Sequence, residues 1–168
     1  MTPFDAPDIH HLRAAHGWHE LGNDAEALAE LEQITPAARS HPDVLEIRWH
    51  IYAKAKKWDD CRDIAAALLK EAPERAEAWL HLSYSVRRAT GGGIQAAYDV
   101  IYQAAKRFPK EPTIPYNLAC YACQLGKPAI AKSFLKQAFR MAKDPKPIKA
   151  MALADPDLEP LWPEIAEI

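Results

Sequence analysis

The sequence predicts an all-α fold, a right-handed α-solenoid of about four antiparallel helix pairs that ends in a C-terminal capping helix. Three observations lead to this prediction: small residues recur at a nearly constant interval, apolar residues follow each of them at helical spacing, and glycine or proline punctuates the pattern. The interval is 34, then 36, then 34 residues. The recurring small residues are Ala27, Cys61, Ala97 and Ala131.

The second helix of each predicted pair contains this small residue. Apolar residues occur four and seven positions further on, so all three positions lie on one face of an α-helix. The residues four positions on are Leu31, Ala65, Ile101 and Leu135, and those seven positions on are Ile34, Leu68, Ala104 and Ala138. We expect the small residue to lie where the two helices of a pair approach most closely.

A similar apolar pattern marks the first helix of each pair. Its members are Ala15, Trp18 and Leu21; Leu45, Trp49 and Tyr52; Trp79, Leu82 and Val86; and Leu118, Ala119 and Ala122. Residues that favour turns follow this first helix. Glycine readily adopts the left-handed conformation that ends a helix, and asparagine caps the helix that comes after the turn. These turns are Gly22-Asn23, Lys56-Lys57, Gly91-Gly92-Gly93 and Gly126-Lys127, and successive pairs are separated at Pro42, Pro73, Pro109 and Pro145.

The last segment, IKAMALADPDLEPLWPEIAEI, leaves the period but keeps apolar residues at helical spacing: Leu158, Leu161, Trp162 and Ile165. An open-ended stack would expose the apolar face of its last helix, so we interpret this segment as a cap. We therefore predict a single domain over residues 1–168. Its repeats lie at approximately 8–41, 42–75, 76–111 and 112–144, with the cap at 145–168.

The repeating unit resembles the tetratricopeptide repeat (TPR), which carries W-x2-L-G-x2-Y, then a small Ala, a large apolar residue and a terminal Pro. The resemblance covers roughly residues 8–143. It is best in W-x2-Y…KKWDDC…LLKEAP (49–73), in W-x2-L-S…AAYDVIYQAAKRFP (79–109) and in YNLACYACQLGKPAIAKSFLKQA (116–138). In the first repeat Arg39 stands where Pro is expected and Pro36 shortens the second helix. The DPDLEPLW string also resembles segments that close such arrays in bacterial proteins.

The charge balance argues against nucleic acid and membrane surfaces as partners. The formal net charge is -2 at pH 7, which provides no global basic field to attract phosphates or anionic lipids. The N-terminal stretch lacks the apolar run of a signal peptide, and the longest apolar run, Ile64 to Leu69, is too short to span a bilayer. We expect a cytoplasmic protein in which the three cysteines, an odd number, remain reduced.

Two groups of residues could carry chemistry. Cys120 and Cys123 form a CxxC, but no second pair completes four zinc ligands, and the pair lies inside a predicted helix. His16 and His19 lie three residues apart, but no HExxH motif is present. We therefore expect no enzyme, and we assign no catalytic, cofactor-binding or metal-ligating residue. The alternative is a metal-binding or thiol redox protein that uses Cys120, Cys123 and nearby histidines.

The resemblance implies that the first helices of successive repeats line a concave groove. One stripe of these helices holds His16, His50, Tyr84 and Cys120. The predicted peptide-binding set is completed by Arg13, Lys54, Leu80, Arg87, Arg88, Tyr116 and Asn117, and the same face also holds Leu12, His19, Glu46, Ile47, His81, Cys123 and Gln124. Aromatic and imidazole rings and guanidinium groups favour binding, because they offer rigid contact area and carboxylate recognition. Alternatively, several of these side chains pack between adjacent helices.

We accordingly expect a non-catalytic protein–protein interaction module, scaffold or co-chaperone-like, that takes an extended or helical peptide in its groove. Cationic residues outnumber acidic ones on the inferred concave face, so the partner segment would carry carboxylates beside apolar anchors. Chaperone-binding TPR proteins hold a C-terminal carboxylate with a Lys/Asn/Lys/Arg clamp, which only Asn117, Arg87 and Arg88 match. A secretion chaperone of similar size is an alternative. The pattern leaves the partner's identity and the oligomeric state open.

Overall fold

The computed structural model describes residues 5–167, and this range is helical throughout its length apart from short turns. Ten α-helices and two short 3-10 helices occur between residues 5 and 167, with no β-strand among them. None of these helices combines the length and the apolar character that crossing a bilayer requires. The chain forms two compact units, residues 1–85 and residues 86–168, and the division falls within α5 (Ala76–Arg88). We call them the first and the second unit; that they form one continuous domain remains a prediction.

The first unit contains two complete helix pairs and most of α5. The elements are α1 (Ala6–Glu20), α2 (Asp24–Gln33), a 3-10 helix (Pro36–Ala38), α3 (Pro42–Lys54) and α4 (Trp58–Glu71). Helix α1 packs on α2, α3 packs on α4, and α1 also contacts α3. Pro36 stands at the start of the 3-10 helix shortly after α2 has ended, so the second helix of the first pair is short, as expected.

The small residues are fully buried, and so are the apolar positions that follow them. Ala27, Cys61, Ala97 and Ala131 have no exposed surface. All eight apolar positions four and seven residues later are at most 1% exposed. The buried face predicted for every second helix is therefore confirmed.

The apolar pattern predicted for α1 is partly wrong. Trp18 is 37% exposed and Leu21 is 78% exposed. The buried stripe of α1 instead contains Asp8, Leu12 and Ala15, which are spaced i, i+4, i+7. Trp18 lies about 80° around the helix from this stripe, since each residue advances the helix by about 100°. Leu21 follows the last helical residue at the C-cap, where the chain turns away.

The turns between paired helices use left-handed backbone conformations, as predicted. Gly22 has φ 81°, Gly91 has φ 73° and Gly126 has φ 71°. In the second pair the same place is taken by Lys56, with φ 58°, although a side chain makes this conformation less favourable. Asn23 caps α2, because its side-chain oxygen accepts a hydrogen bond from the Glu26 amide at 3.3 Å.

The second unit begins at the end of α5 and closes with a segment that is more elaborate than the single capping helix predicted. Helix α7 packs against both α6 and α8, and α8 contacts α9. The elements are α6 (Ile94–Ala104), α7 (Thr113–Gln124), α8 (Pro128–Met141), α9 (Pro145–Ala154), a 3-10 helix (Pro156–Leu161) and α10 (Trp162–Glu167). The apolar residues assigned to one helix are thus divided between a 3-10 helix and α10. Pro160, inside the 3-10 helix, cannot donate a backbone hydrogen bond, which disfavours a continuous α-helix there.

The capping segment covers more than the last repeat helix. Leu158, Leu161 and Ile165 are buried, and the Trp162 indole nitrogen donates a hydrogen bond to the carbonyl of Ala152 at 3.1 Å. The 3-10 helix contacts α7 as well as α8, although only the face of α8 was expected to need covering. The C-terminal segment therefore packs on the first helix of the fourth pair, which also carries predicted binding residues.

Candidate functional site

An open cleft with a volume of about 610 Å³ lies in the first unit. Its lining residues in the described part of the chain come from α1 and α3, namely Leu12, Arg13, His16, His19, Asp43, Glu46, Ile47 and His50. Pro42 is the first residue of α3 and sets where this lining helix begins. Asn23 caps α2 and so sets where the turn that follows α1 ends. The cleft includes the predicted binding residues Arg13, His16 and His50.

The polar side chains of the cleft differ in how far they are already paired. The Nδ1 of His19 lies 2.8 Å from Asp24 Oδ1, and Arg75 donates to Asp43 Oδ1 at 2.7 Å. The Nδ1 of His16 is 3.7 Å from a carboxylate oxygen of Glu20, a long contact between exposed groups. Arg13 is exposed and has no ion-pair partner among residues 5–167. The cleft thus presents an unpaired guanidinium group and an imidazole to solvent.

A cluster of aromatic and imidazole rings adjoins the cleft. The buried indole of Trp49 stacks on His81, with ring centroids 3.7 Å apart and an interplanar angle of 14°. The Trp49 indole nitrogen donates a hydrogen bond to Ser85 Oγ at 2.8 Å, which fixes the orientation of its ring. His50 meets His81 edge to face at 5.1 Å, and Tyr84 meets Trp49 in the same way at 6.1 Å. Burial of the imidazole lowers the pKa of His81 to about 3 and also lowers the pKa of His50.

The remaining predicted binding residues of the first unit are less available. Lys54 is exposed, but its ammonium group forms an ion pair with Asp24 at 2.7 Å. Leu80 is half-buried, while Tyr84 is 38% exposed. Tyr84 therefore presents part of its ring to solvent, although it also contacts Trp58 edge to face at 5.6 Å.

In the second unit, the chain's own C-terminal segment contacts the predicted stripe. The Tyr116 hydroxyl donates a hydrogen bond to Asp155 Oδ2 at 2.9 Å, and Cys120 Sγ lies 3.5 Å from the same oxygen. The guanidinium of Arg87 pairs with Asp157 through both carboxylate oxygens. Tyr116 and Cys120 are buried, at 5% and 2% exposure. The expectation that these side chains are open to a partner is not met in this structure.

Two further predicted residues of the second unit directly follow Tyr116 and Arg87 in the sequence. Asn117 is half-buried, and its side-chain amide donates a hydrogen bond to the Thr113 carbonyl one helical turn earlier at 2.9 Å. Arg88, the last residue of α5, is also half-buried. Neither side chain is presented as an unpaired group.

The environment of the CxxC disfavours thiol chemistry. Cys120 and Cys123 both lie within α7, as predicted, and both are buried and unpaired. Burial, followed by the negative charges of Asp155 and Asp157, raises the pKa of Cys120 far above its ordinary value. The pKa of Cys123 is raised by burial and by Asp157. Reactive cysteines have a lowered pKa and access to solvent, and these two have neither.

A second cleft, which the sequence did not predict, lies in the second unit. Its volume is about 590 Å³, and it is lined by Lys136, Phe139, Arg140, Pro145, Lys146 and Lys149. The four basic residues come from α8 and from the start of α9. Their spacing on α8 could have been noticed, but their convergence with α9 depends on how the cap folds back, which the repeat pattern does not encode.

Comparisons with known proteins establish the fold. The chain is similar to TTC0263, a thermophilic TPR protein of Thermus thermophilus, with a TM-score of 0.68 and 18% identity over 96% of this chain and 100% of that one. It is also similar to a mutant of MamA, with a TM-score of 0.63 and 18% identity over 83% of this chain and 81% of that one. No protein-family model and no curated protein sequence matches the chain. The predicted all-helical TPR-like fold is confirmed, while identities this low carry no information about the partner.

Proposed function

We propose that this protein is a non-catalytic interaction module that holds a segment of a partner protein in the cleft between α1 and α3. The observation that supports the proposal best is the cleft itself: it is open, it has the size of a small ligand site, and its lining residue Arg13 has no ion-pair partner in the described part of the chain. Apolar walls flank that charge at Leu12 and Ile47. Apolar contact area with a few directed polar groups is the composition that peptide-binding surfaces use.

The partner segment is proposed to be acidic with apolar anchors. The contact between α7 and the C-terminal segment supports this choice, because it illustrates what a first helix of this chain can hold. There Asp155 contacts Tyr116 and Cys120, and Asp157 pairs with Arg87. Leu158 and Leu161 of the same segment are buried. In the first unit, Arg13 would hold a carboxylate as Arg87 does in the second.

The proposal assigns different roles to seven of the predicted binding residues. Arg13, His16, His50 and Tyr84 would contact the partner directly. Arg87, Tyr116 and Cys120 would do so only if the C-terminal segment moved away. Three unpaired cysteines support a location in a reducing compartment, and we propose the cytoplasm.

The test is a binding measurement with charge-reversal variants. A partner identified by purification of the tagged protein from its own cells would be titrated calorimetrically against wild type, Arg13→Glu and Lys70→Glu. Lys70 is a matched control, since it is an exposed cation of the same unit that lies on α4 and does not line the cleft. We expect Arg13→Glu to weaken binding about tenfold or more, since it replaces an attraction with a repulsion at a desolvated contact. Equal affinity of all three proteins would contradict the proposal.

The alternative of a thiol redox function predicts a different outcome. A redox protein would require Cys120 and Cys123 to interconvert between dithiol and disulfide under mild oxidants. The burial of both thiols makes this interconversion unfavourable. Formation of an intramolecular disulfide by equilibration in a glutathione buffer, detected by mass, would favour the redox alternative over the interaction module.

A further inference from the structure

Three side chains with the donor atoms that zinc prefers converge beside the cleft of the first unit. Glu46 and His50 lie one turn apart on α3, and His81 projects from α5. One carboxylate oxygen and one ring nitrogen from each histidine all lie within 4.8 Å of one another. All three residues belong to the predicted concave face, but the sequence did not predict their convergence, because the two histidines belong to different repeats.

We propose that Glu46, His50 and His81 bind a transition-metal ion, with Zn²⁺ as the best match. Two imidazole nitrogens and one carboxylate oxygen form a set of three protein ligands that leaves a fourth tetrahedral position open. Ca²⁺ and Mg²⁺ prefer oxygen ligands alone, so they fit this set poorly. The ion would bind in the free protein, and because Glu46 and His50 also line the cleft, the metal site would form part of the wall of the proposed partner site.

The first support is an unpaired nitrogen. The Nε2 of His81 is buried and has no hydrogen-bond partner among residues 5–167. Buried polar atoms without partners are uncommon in folded proteins, because removing them from water without compensation is unfavourable. A metal ion bound to the His81 imidazole would compensate for this burial.

The second support is that the rings of the two histidine ligands are already oriented by their surroundings. The stack with Trp49 holds the His81 ring, and His50 lies against that ring at 5.1 Å. Orientation of a ligand by its surroundings is a common property of metal sites.

The third support is that the side chains of Glu46 and His50 can reach tetrahedral spacing and that Glu46 is not committed to another charged group. Tetrahedral zinc separates its ligand atoms by roughly 3.4 Å, as follows from bond lengths of about 2.0–2.1 Å. The ligand atoms of the three residues lie within 4.8 Å of one another. His50 is exposed and Glu46 is half-buried, so rotation about their side-chain torsions is free to bring these atoms to the tetrahedral spacing. Glu46 lies 3.4 Å from Arg75, but that guanidinium is closer to Asp43, at 2.7 Å. The carboxylate of Glu46 is therefore not the principal partner of Arg75.

The experiment uses Co²⁺ as an optical probe of the site. The full-length protein, freed of metal with a chelator, would be titrated with Co²⁺, and the visible absorption of tetrahedral cobalt would be recorded, followed by displacement with Zn²⁺. We expect one cobalt ion per chain, with bands that Zn²⁺ removes. Glu46→Gln and His50→Ala should each weaken binding at least about tenfold, the lower end of what loss of even an outer-shell partner costs.

The matched control is His16→Ala, which removes an exposed histidine of the same cleft that is not part of the cluster. It should bind cobalt as wild type does. Both Glu46→Gln and His50→Ala alter exposed or half-buried side chains, and their helicity would be verified by circular dichroism. Absence of a tetrahedral spectrum in wild type, or equal binding by wild type, Glu46→Gln and His50→Ala, would overturn the proposal.

Discussion

Arg87 and Asp157 form a bidentate ion pair, in which the two terminal guanidinium nitrogens donate to different carboxylate oxygens, one of them at 2.7 Å. Only 19% of the Arg87 side chain and 21% of the Asp157 side chain remain exposed. Paired geometry and partial burial make such contacts stronger than ordinary surface ion pairs. The pair fastens the C-terminal segment onto the helices it covers.

Truncation of this pair should therefore destabilise the protein measurably. We expect Arg87→Ala to lower the free energy of unfolding by about 1.5–3 kcal/mol, the range for a hydrogen bond to a charged group. A double-mutant cycle with Asp157→Asn, measured by urea unfolding, should give a coupling energy of about 0.5–3 kcal/mol. The more exposed pair Lys132–Glu164, which also holds the segment, serves as the control and should show less than about 1 kcal/mol. Equal coupling in both pairs would be inconsistent with a special role of Arg87.

Removal of the capping segment should expose the thiol of Cys120. Deletion of residues 156–168 removes Asp157 and the buried leucines beside α7, so Cys120 should react with a thiol reagent that it resists in the intact chain. Labelling followed by peptide mass mapping would report each cysteine separately. Cys61 is the internal control, since it is buried in the first unit and burial raises its pKa to about 11. Unchanged protection of Cys120 would mean that the segment does not shield α7.

The small residues of the second helices should not tolerate enlargement. Ala97→Leu inserts three carbon atoms at a position with no exposed surface, and overpacking of this kind costs about 1–3 kcal/mol. Ala96→Leu provides a neighbouring control, because Ala96 is exposed on the same helix. Thermal melts of the two variants should differ by several degrees. A melting curve of Ala97→Leu that coincides with that of Ala96→Leu would contradict the repeat register.

Asp8 should contribute to the loss of stability that the fold shows at acidic pH. Its carboxylate accepts hydrogen bonds from the Thr35 hydroxyl at 2.7 Å and the Thr35 amide at 2.8 Å, and these bonds lower its pKa below the ordinary value of 3.8. A carboxyl whose folded pKa is lowered stabilises the fold above its unfolded pKa and loses this contribution as the pH falls through the folded value. Asp8→Asn should therefore reduce stability at neutral pH and flatten the decline below pH 3.8. Urea unfolding of the wild type and of Asp8→Asn at a series of pH values would measure this difference, and the same pH dependence in both proteins would contradict the prediction.

The repeat pattern predicted the second helices well and the first helix of the chain less well. Ala97, Ile101 and Ala104 could be placed because tight packing within a pair restricts residue size at fixed intervals. Trp18 could not, because its burial depends on which face of α1 has a neighbour, and the local sequence does not specify this. An aromatic residue at a repeat position predicts a helix, but not the depth of its burial.

The sequence predicted the positions of the proposed binding residues but not the exposure of their side chains. Helical spacing correctly grouped Arg13, His16 and His50, which share one cleft. The same spacing could not reveal that Tyr116 and Cys120 are covered, because Asp155 reaches them from a part of the chain that lies outside the period. Contacts between repeats and a non-repeating segment carry no periodic signal.

The stack of Trp49 on His81 also gives the molecule a natural optical reporter. Four of its five tryptophans, including Trp49, lie in the first unit, whereas Trp162 alone lies in the second. Fluorescence of variants that retain only Trp49 or only Trp162 would follow the melting of each unit by itself. Coincident transitions would show that the helix shared by both units couples them into one cooperative system, and separate transitions would show two systems joined by a single helix.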